Sequence, residues 1–153
     1  MTGEEDPGFP LFNAGQPHSA RVYDYWLGGK DNFAADRELA ERSLEAAPEL
    51  RAIARENRRF LRRTVRALAG LGIRQFLDVG TGIPTQGNTH EVAQSVLPEA
   101  RVAYVDNDPI VLSHSRALLA GTAEGRIAVI GEDLRRPAAI LDSPEVRDVL
   151  DFA

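Results

Sequence analysis

At 153 residues, with 43% apolar and 27% charged positions and a net charge of −5, the chain has the size and make-up of one globular domain with a real core. It contains no cysteine, which excludes disulfides, thiolate metal sites and cysteine nucleophiles, and its acidic balance argues against general nucleic-acid affinity. No apolar run approaches the roughly 20 residues of a membrane span, so neither metal-thiolate nor membrane chemistry is expected.

Residues 1–17 are acidic and rich in Gly and Pro without any period, and predict a flexible leader unlike a secretory signal. A cytoplasmic location follows as the expectation. Val22, Tyr23, Tyr25, Trp26 and Leu27 then cluster before Gly28-Gly29, which predicts an ordered loop or short helix packed on a neighbour. Asp31 or Asn32 can cap a helix from about Phe33 to Ala46, which Pro48 breaks. A second helix is predicted from about Glu49 to Leu68, with Ile53, Phe60, Leu61, Val65 and Leu68 on one face. Gly70 and Gly72 end it, so residues 18–72 read as a helical N-terminal extension.

From residue 73 the pattern changes to alternating strands and helices. Gln75 to Val79 is the first strand, and Asn88 with Glu91 has capping-box spacing for a helix running to about Leu97. Arg101 to Val105 is the second strand, Asp108-Pro109 opens a helix to about Leu119, and Ile127 to Ile130 is the third strand. Ser143-Pro144 starts a last helix. This alternation with short loops predicts an α/β fold with a parallel, doubly wound sheet over residues 73–153. Three strands are few for such a domain, so an acceptor-binding half is expected to follow Ala153.

Chemistry concentrates at the strand ends. Phe76-Leu77-Asp78-Val79 runs into Gly80-Thr81-Gly82, a sharp turn where a ligand can approach main-chain N–H groups. Open α/β sheets bind ligands at that end. The second strand ends in Asp106-Asn107-Asp108, where an acid can accept from both hydroxyls of a ribose. The third ends in Glu132-Asp133-Leu134, where an Asp can accept from an adenine amino group and an apolar side chain can pack on the ring. Asp78 and Asp108 could instead merely cap turns, and Asp133 could be a solvated loop acid. A dinucleotide is the competing ligand, but Thr85 stands where its third glycine belongs and Pro84 intervenes. A carboxylate at Asp78 would also repel a pyrophosphate, whereas it suits the cationic amino group of a methionine moiety. S-adenosylmethionine is therefore the favoured ligand.

Three further features have two readings. Tyr23, Lys30 and Asn32 could close over a ligand as a lid, or their segment could be a plug between helices and sheet. Arg51, Arg55, Arg58, Arg59, Arg62, Arg63 and Arg66 make one strongly basic helix, able to bind RNA or simply a solvated face paired with acids such as Glu56. His90 could reach a ligand or occupy a helix's first turn, and with His18 and His114 it shows no metal-ligand spacing.

The block from Ala20 to Phe33 (ARVYDYWLGGKDNF), with Arg74 to Gly82, His90 to Gln94, Val105 to Leu112 and Asp133 to Arg135, resembles an actinobacterial family of S-adenosylmethionine-dependent methyltransferases long classed as a domain of unknown function. The likeness runs from about Pro17 to the last residue. It implies a Rossmann-like class I methyltransferase fold behind a helical extension. By that resemblance Asp78, Gly80, Thr81 and Gly82 hold the methionine end, Asp106 and Asn107 the ribose, and Asp133 with Leu134 the adenine. It also implies methyl transfer to a small-molecule acceptor with S-adenosylhomocysteine as product. Members of that family continue into a fourth strand beside the first, so this chain would be the cofactor-binding N-terminal portion, with an open sheet edge that invites self-association. No general base is named among its residues. The alternatives are a fragment that binds the cofactor without catalysis or acts as a regulatory partner, and an NAD(P)-binding oxidoreductase fragment.

Overall fold

The computed structural model describes residues 13–152, so residues 1–12 of the expected leader, and residue 153, lie outside the described residues. Three helices come first, α1 (Ser19–Leu27), α2 (Ala34–Ala46) and α3 (Leu50–Gly70). The sheet follows as β1 (Gln75–Val79), β2 (Arg101–Asp106) and β3 (Arg126–Gly131), parallel throughout and ordered β1-β2-β3. Helices α4 (Thr89–Gln94) and α5 (Pro109–Leu118) make the two crossovers, and α6 (Pro137–Asp142) and α7 (Pro144–Val149) follow β3.

Side chains alternate along each strand, and both sheet faces are covered. Phe76 packs with Val65 of α3 and Val92 and Ala93 of α4. On the opposite face Val79, Ala103, Val105 and Ile130 pack with Ile140 of α6 and Val146 and Val149 of α7. Cover on both sides explains why β2 is buried from Val102 to Asp106 and reads as an apolar run as far as Val105. Among the described residues β1 pairs with β2 alone, leaving its other edge open and Leu77 exposed.

One open reading, loop or short helix before Gly28, is resolved, and other elements differ from expectation for identifiable reasons. The aromatic cluster is a true helix: His18 Nδ1 accepts from Ala20 N–H at its start, and Gly28 ends it in the left-handed region at φ 84°. Helix α4 stops at Gln94, where Ser95 Oγ donates back to the Val92 carbonyl and Pro98 follows. The short α6 went unread, although Pro137 occupies the first helical turn that proline favours. The apolar face expected on α3 is split. Ile53 and Phe60 are 54% and 59% exposed, whereas Ala54, Val65 and Ala69 are buried with Leu61 beside them. Small residues let the helix axis approach closely, so the helix seats on its alanines and turns the bulkier side chains outward.

One buried cation ties the helical part to the sheet. The Arg21 guanidinium of α1 contacts Asp108 Oδ2 at 3.1 Å and Asp36 Oδ2 at 3.5 Å, and all three side chains are buried. Asp108 also caps α5 by accepting from Ile110 N–H, and Asp36 accepts from Phe33 N–H and His18 N–H. Removing the cation would strand two buried carboxylates. Arg21→Met is therefore expected to cost about 3–5 kcal/mol, read as a lowered urea midpoint; a change under about 0.5 kcal/mol would deny the pairing its structural role.

His90 is the second buried fixture. Its backbone N–H donates to the Tyr104 hydroxyl at 2.7 Å, its Nδ1 lies 2.8 Å from that hydroxyl, and its Nε2 lies 3.2 Å from the Ala120 carbonyl. A carbonyl can only accept, so Nε2 carries the proton and Nδ1 accepts from Tyr104. Burial lowers the imidazole below its ordinary 6.5. The stability this contributes is complete above the unfolded value and lost as pH falls through the folded one. The melting temperature should therefore drop on acidification below pH 6.5, and His90→Gln should flatten that part of the profile; an unchanged slope would refute the assignment.

Candidate functional site

The C-terminal tips of β1 and β2 open into a cleft of about 500 Å³, with α1 and α3 forming its other walls. Asp78, next to last in β1, puts its side chain there. Its Oδ2 accepts from Thr89 Oγ at 2.6 Å, while Oδ1 has no hydrogen-bond partner among the described residues. Burial raises this carboxyl above its ordinary 3.8, against the opposing pull of the Thr89 hydrogen bond and the Arg58 charge.

Gly80 and Gly82 turn with φ of 72° and 69°, a region costly for any residue with a Cβ. A Cβ on either would meet nothing within 4 Å, so the cleft reaches the main chain itself. The turn's amides, however, are not available to a ligand. Gly80 and Thr81 N–H donate to the Val105 carbonyl at 2.8 and 3.3 Å, and Gly82 N–H donates to Asp106 Oδ2 at 2.9 Å. This corrects the expectation of main-chain donors: they lock the β1 turn onto the β2 tip. Asp106 Oδ1 accepts from Asp108 N–H at 3.0 Å, so its carboxylate braces both turns. A carboxylate has about four lone-pair directions, which leaves Asp106 able to accept from hydroxyls in the cleft. Asn107 lines the cleft beside it.

Tyr23 also lines the cleft, but as a fixed wall: its hydroxyl donates to the Ala54 carbonyl and accepts from Asn57 Nδ2, both at 3.0 Å. Lys30 and Asn32 do not line it. Asn32 is buried, its Nδ2 donating to Asp24 Oδ2 at 2.8 Å and to the Gly29 carbonyl at 3.1 Å, and Asp31 N–H donates to the same Asp24 oxygen. A Cβ on Gly29 would fall 1.9 Å from Asp24 Oδ1. The glycine pair therefore folds a tight turn around the Asp24 carboxylate, with Lys30 exposed at its tip. Of the two readings of this segment, lid or plug, these hydrogen bonds favour the structural one. At the third tip, Asp133 grips the Arg135 guanidinium with both oxygens, and these hydrogen bonds hold its carboxyl down at about 2. Neither Asp133 nor the exposed Leu134 lines the cleft.

The α3 wall was not foreseen. Asn57, Arg58, Phe60 and Thr64 line the cleft, and the phase of the helix was the available signal. Steps of three and four from Ala54 pass through Arg58, Leu61, Val65 and Ala69, which places Arg58 on the buried stripe.

Over residues 10–153 the chain matches the model of a family described as S-adenosyl methyltransferase. It is similar to the crystal structure of a DUF574 family protein from Streptomyces avermitilis MA-4680, with 56% identity and a TM-score of 0.86, covering 89% of this chain and 52% of that one. It is also similar to a candidate methyltransferase from Thermobifida fusca YX, with 54% identity and a TM-score of 0.84, covering 95% of this chain and 53% of that one. The chain spans about half the length of each. No curated protein matches it. The fold is accordingly α/β and Rossmann-like with a helical N-terminal part. With the family match running over nearly the whole chain, the protein belongs to the S-adenosyl methyltransferase family.

Proposed function

We propose that the cleft at the β1 and β2 tips holds S-adenosylmethionine, and that the protein transfers its methyl group to a small-molecule acceptor. The observation that carries this reading is Asp78: a half-buried carboxylate with one oxygen unpartnered, set beside a turn that admits a ligand down to the backbone. Such a group suits an ammonium. The amino-acid end would lie at Asp78, Gly80, Thr81 and Gly82, and the ribose at Asp106 and Asn107. The adenine would extend toward Asp133 and Leu134, where Asp133 would have to accept through a lone pair that Arg135 does not hold. Bound there, the sulfonium supplies an activated methyl whose departing electron pair stays with sulfur. The chain's own residues bind and align it, and alignment is the main source of rate in such displacements.

A dinucleotide is the poorer fit. Its pyrophosphate needs free N–H donors at a helix N-terminus, yet the turn amides are engaged and α4 starts only at Thr89. RNA has less to carry it on α3, since Arg51 pairs with Glu41, Arg59 with Glu56, and Arg62 donates to the Gln86 carbonyl. No described helix is long and apolar enough to cross a membrane. A cytoplasmic setting, and pairing of copies along the open β1 edge, belong to the same reading.

Calorimetry on this chain tests it. S-adenosylhomocysteine should give binding heat and raise the melting temperature, and NADH should do neither; no heat at millimolar ligand, or a response to NADH alone, would sink the proposal. Asp78→Asn should weaken binding about 10- to 100-fold through loss of a charge-assisted hydrogen bond. The same change should raise the melting temperature of the ligand-free protein at neutral pH. A carboxyl whose folded pKa lies above 3.8 gives its stability below that value and loses it as pH rises, so the neutral amide recovers the loss. The difference should fade as pH falls toward 3.8.

A further inference from the structure

The buried stripe of α3 carries one residue that does not belong in an apolar interface. Between Ala54 and Ala69 its members are small or aliphatic apart from Arg58. The guanidinium has five N–H donors. Its Nη2 donates to Thr85 Oγ at 2.7 Å, while Nε is enclosed without any hydrogen-bond partner. Enclosure of a donor without a partner costs stability, and the bond to Thr85 uses only one of the five donors. The side chain lines the cleft together with Asp78, Gly80, Thr81 and Gly82.

The geometry points to Arg58 as the group that binds the carboxylate of the ligand's amino-acid end, with Asp78 taking the ammonium. This rests on the reading that the cleft holds an adenosyl-methionine ligand. An α-amino acid carries one positive and one negative group on the same carbon, and the cleft walls present the opposite pair from two different elements, β1 and α3. Burial lowers the Arg58 pKa and raises that of Asp78, and each group's charge opposes the other's shift. A bound zwitterion would give each of the two charges a further partner of opposite sign. Arginine is the side chain suited to the task, because its planar fork meets a carboxylate through two parallel hydrogen bonds and keeps its proton when half-buried. The backbone offers the carboxylate no alternative, since the amides of Gly80, Thr81 and Gly82 already donate elsewhere.

The test is a cycle of two ligands and two proteins by titration calorimetry. The ligands are S-adenosylhomocysteine and its decarboxylated analogue, and the proteins are the unaltered chain and Arg58→Met. The unaltered chain should bind the carboxylate-bearing ligand about 10- to 100-fold more tightly, and Arg58→Met should bind the two with near-equal affinity. Arg58→Met should also melt no lower than the unaltered ligand-free protein, because it removes a partly buried charge; a purely structural arginine would give the reverse. Arg58→Lys, which keeps the charge and loses the fork, should retain a reduced preference, and it stands in for the methionine variant should that fail to fold. Equal affinity of the unaltered chain for both ligands overturns the assignment while leaving the cleft reading intact. So does undiminished discrimination by either variant. Failure of the unaltered chain to bind S-adenosylhomocysteine at all removes the cleft reading and this inference together.

Discussion

One buried ion cluster, the Arg21 guanidinium held between Asp108 and Asp36, joins the helical walls of the cleft to the strand tips. Asp108 closes the β2 tip and caps α5, so its position is set by the sheet. Asp36 sits in the first turn of α2. A single cation from α1 therefore fixes the helical layer against the strand ends, and it does so at a short remove from Asp106 and Asn107. A buried pair adds little net stability compared with apolar packing, but leaving either partner alone is costly. The cluster thus acts as a register pin. It holds α1 where Tyr23 becomes a wall of the cleft, and it holds α3 indirectly, because the Tyr23 hydroxyl is bonded to the Ala54 carbonyl and to Asn57.

With that frame rigid, the cleft can hold groups that no apolar interface would keep. Asp78 and Arg58 arrive on different elements, each half-desolvated and each short of hydrogen bonds. A fold tolerates such unpaired groups where a ligand completes them, and the stability forgone in the empty state becomes affinity in the occupied one. Asp106 differs from both: its two oxygens already accept from Gly82 and Asp108, so it contributes to the shape of the turn before any ligand arrives.

Much of this was legible in the chain itself. The three strands, the crossover helices and the two glycine turns could be read because apolar runs, Asp-Pro caps and Gly-x-Gly each report a local backbone requirement. What could not be read was which side of a helix meets the sheet when bulky and small residues compete. The spacing groups Ile53 and Phe60 with Leu61 and Val65, yet close approach turns only the latter pair inward, beside Ala54 and Ala69. That rotation carries Arg58 inward, to face a cleft that also holds Asp78 and Asp106. The aromatic block before Gly28 was legible as ordered but not in its role. Its glycines serve the Asp24 carboxylate, and the contact depends on a helix-to-turn geometry that spacing alone does not specify.

The aspartates make the same point more generally. Asp24, Asp36, Asp78, Asp106, Asp108 and Asp133 all stand near turns or helix starts, and in the sequence they are equivalent candidates for ligand contact. Their hydrogen bonds separate them. Asp24 and Asp36 each accept from two or more protein donors, Asp108 from a capped N–H and a buried cation, and Asp133 from an arginine two residues on. Each of those is explained without a ligand. Asp24 and Asp78 both have a pKa raised by burial and one oxygen without a donor, but of the two only Asp78 lines the cleft with Gly80, Thr81 and Gly82. A carboxylate in that condition is costly unless something cationic visits it. Unmet demand inside the cleft is thus a better guide to the ligand-facing residue than type or position.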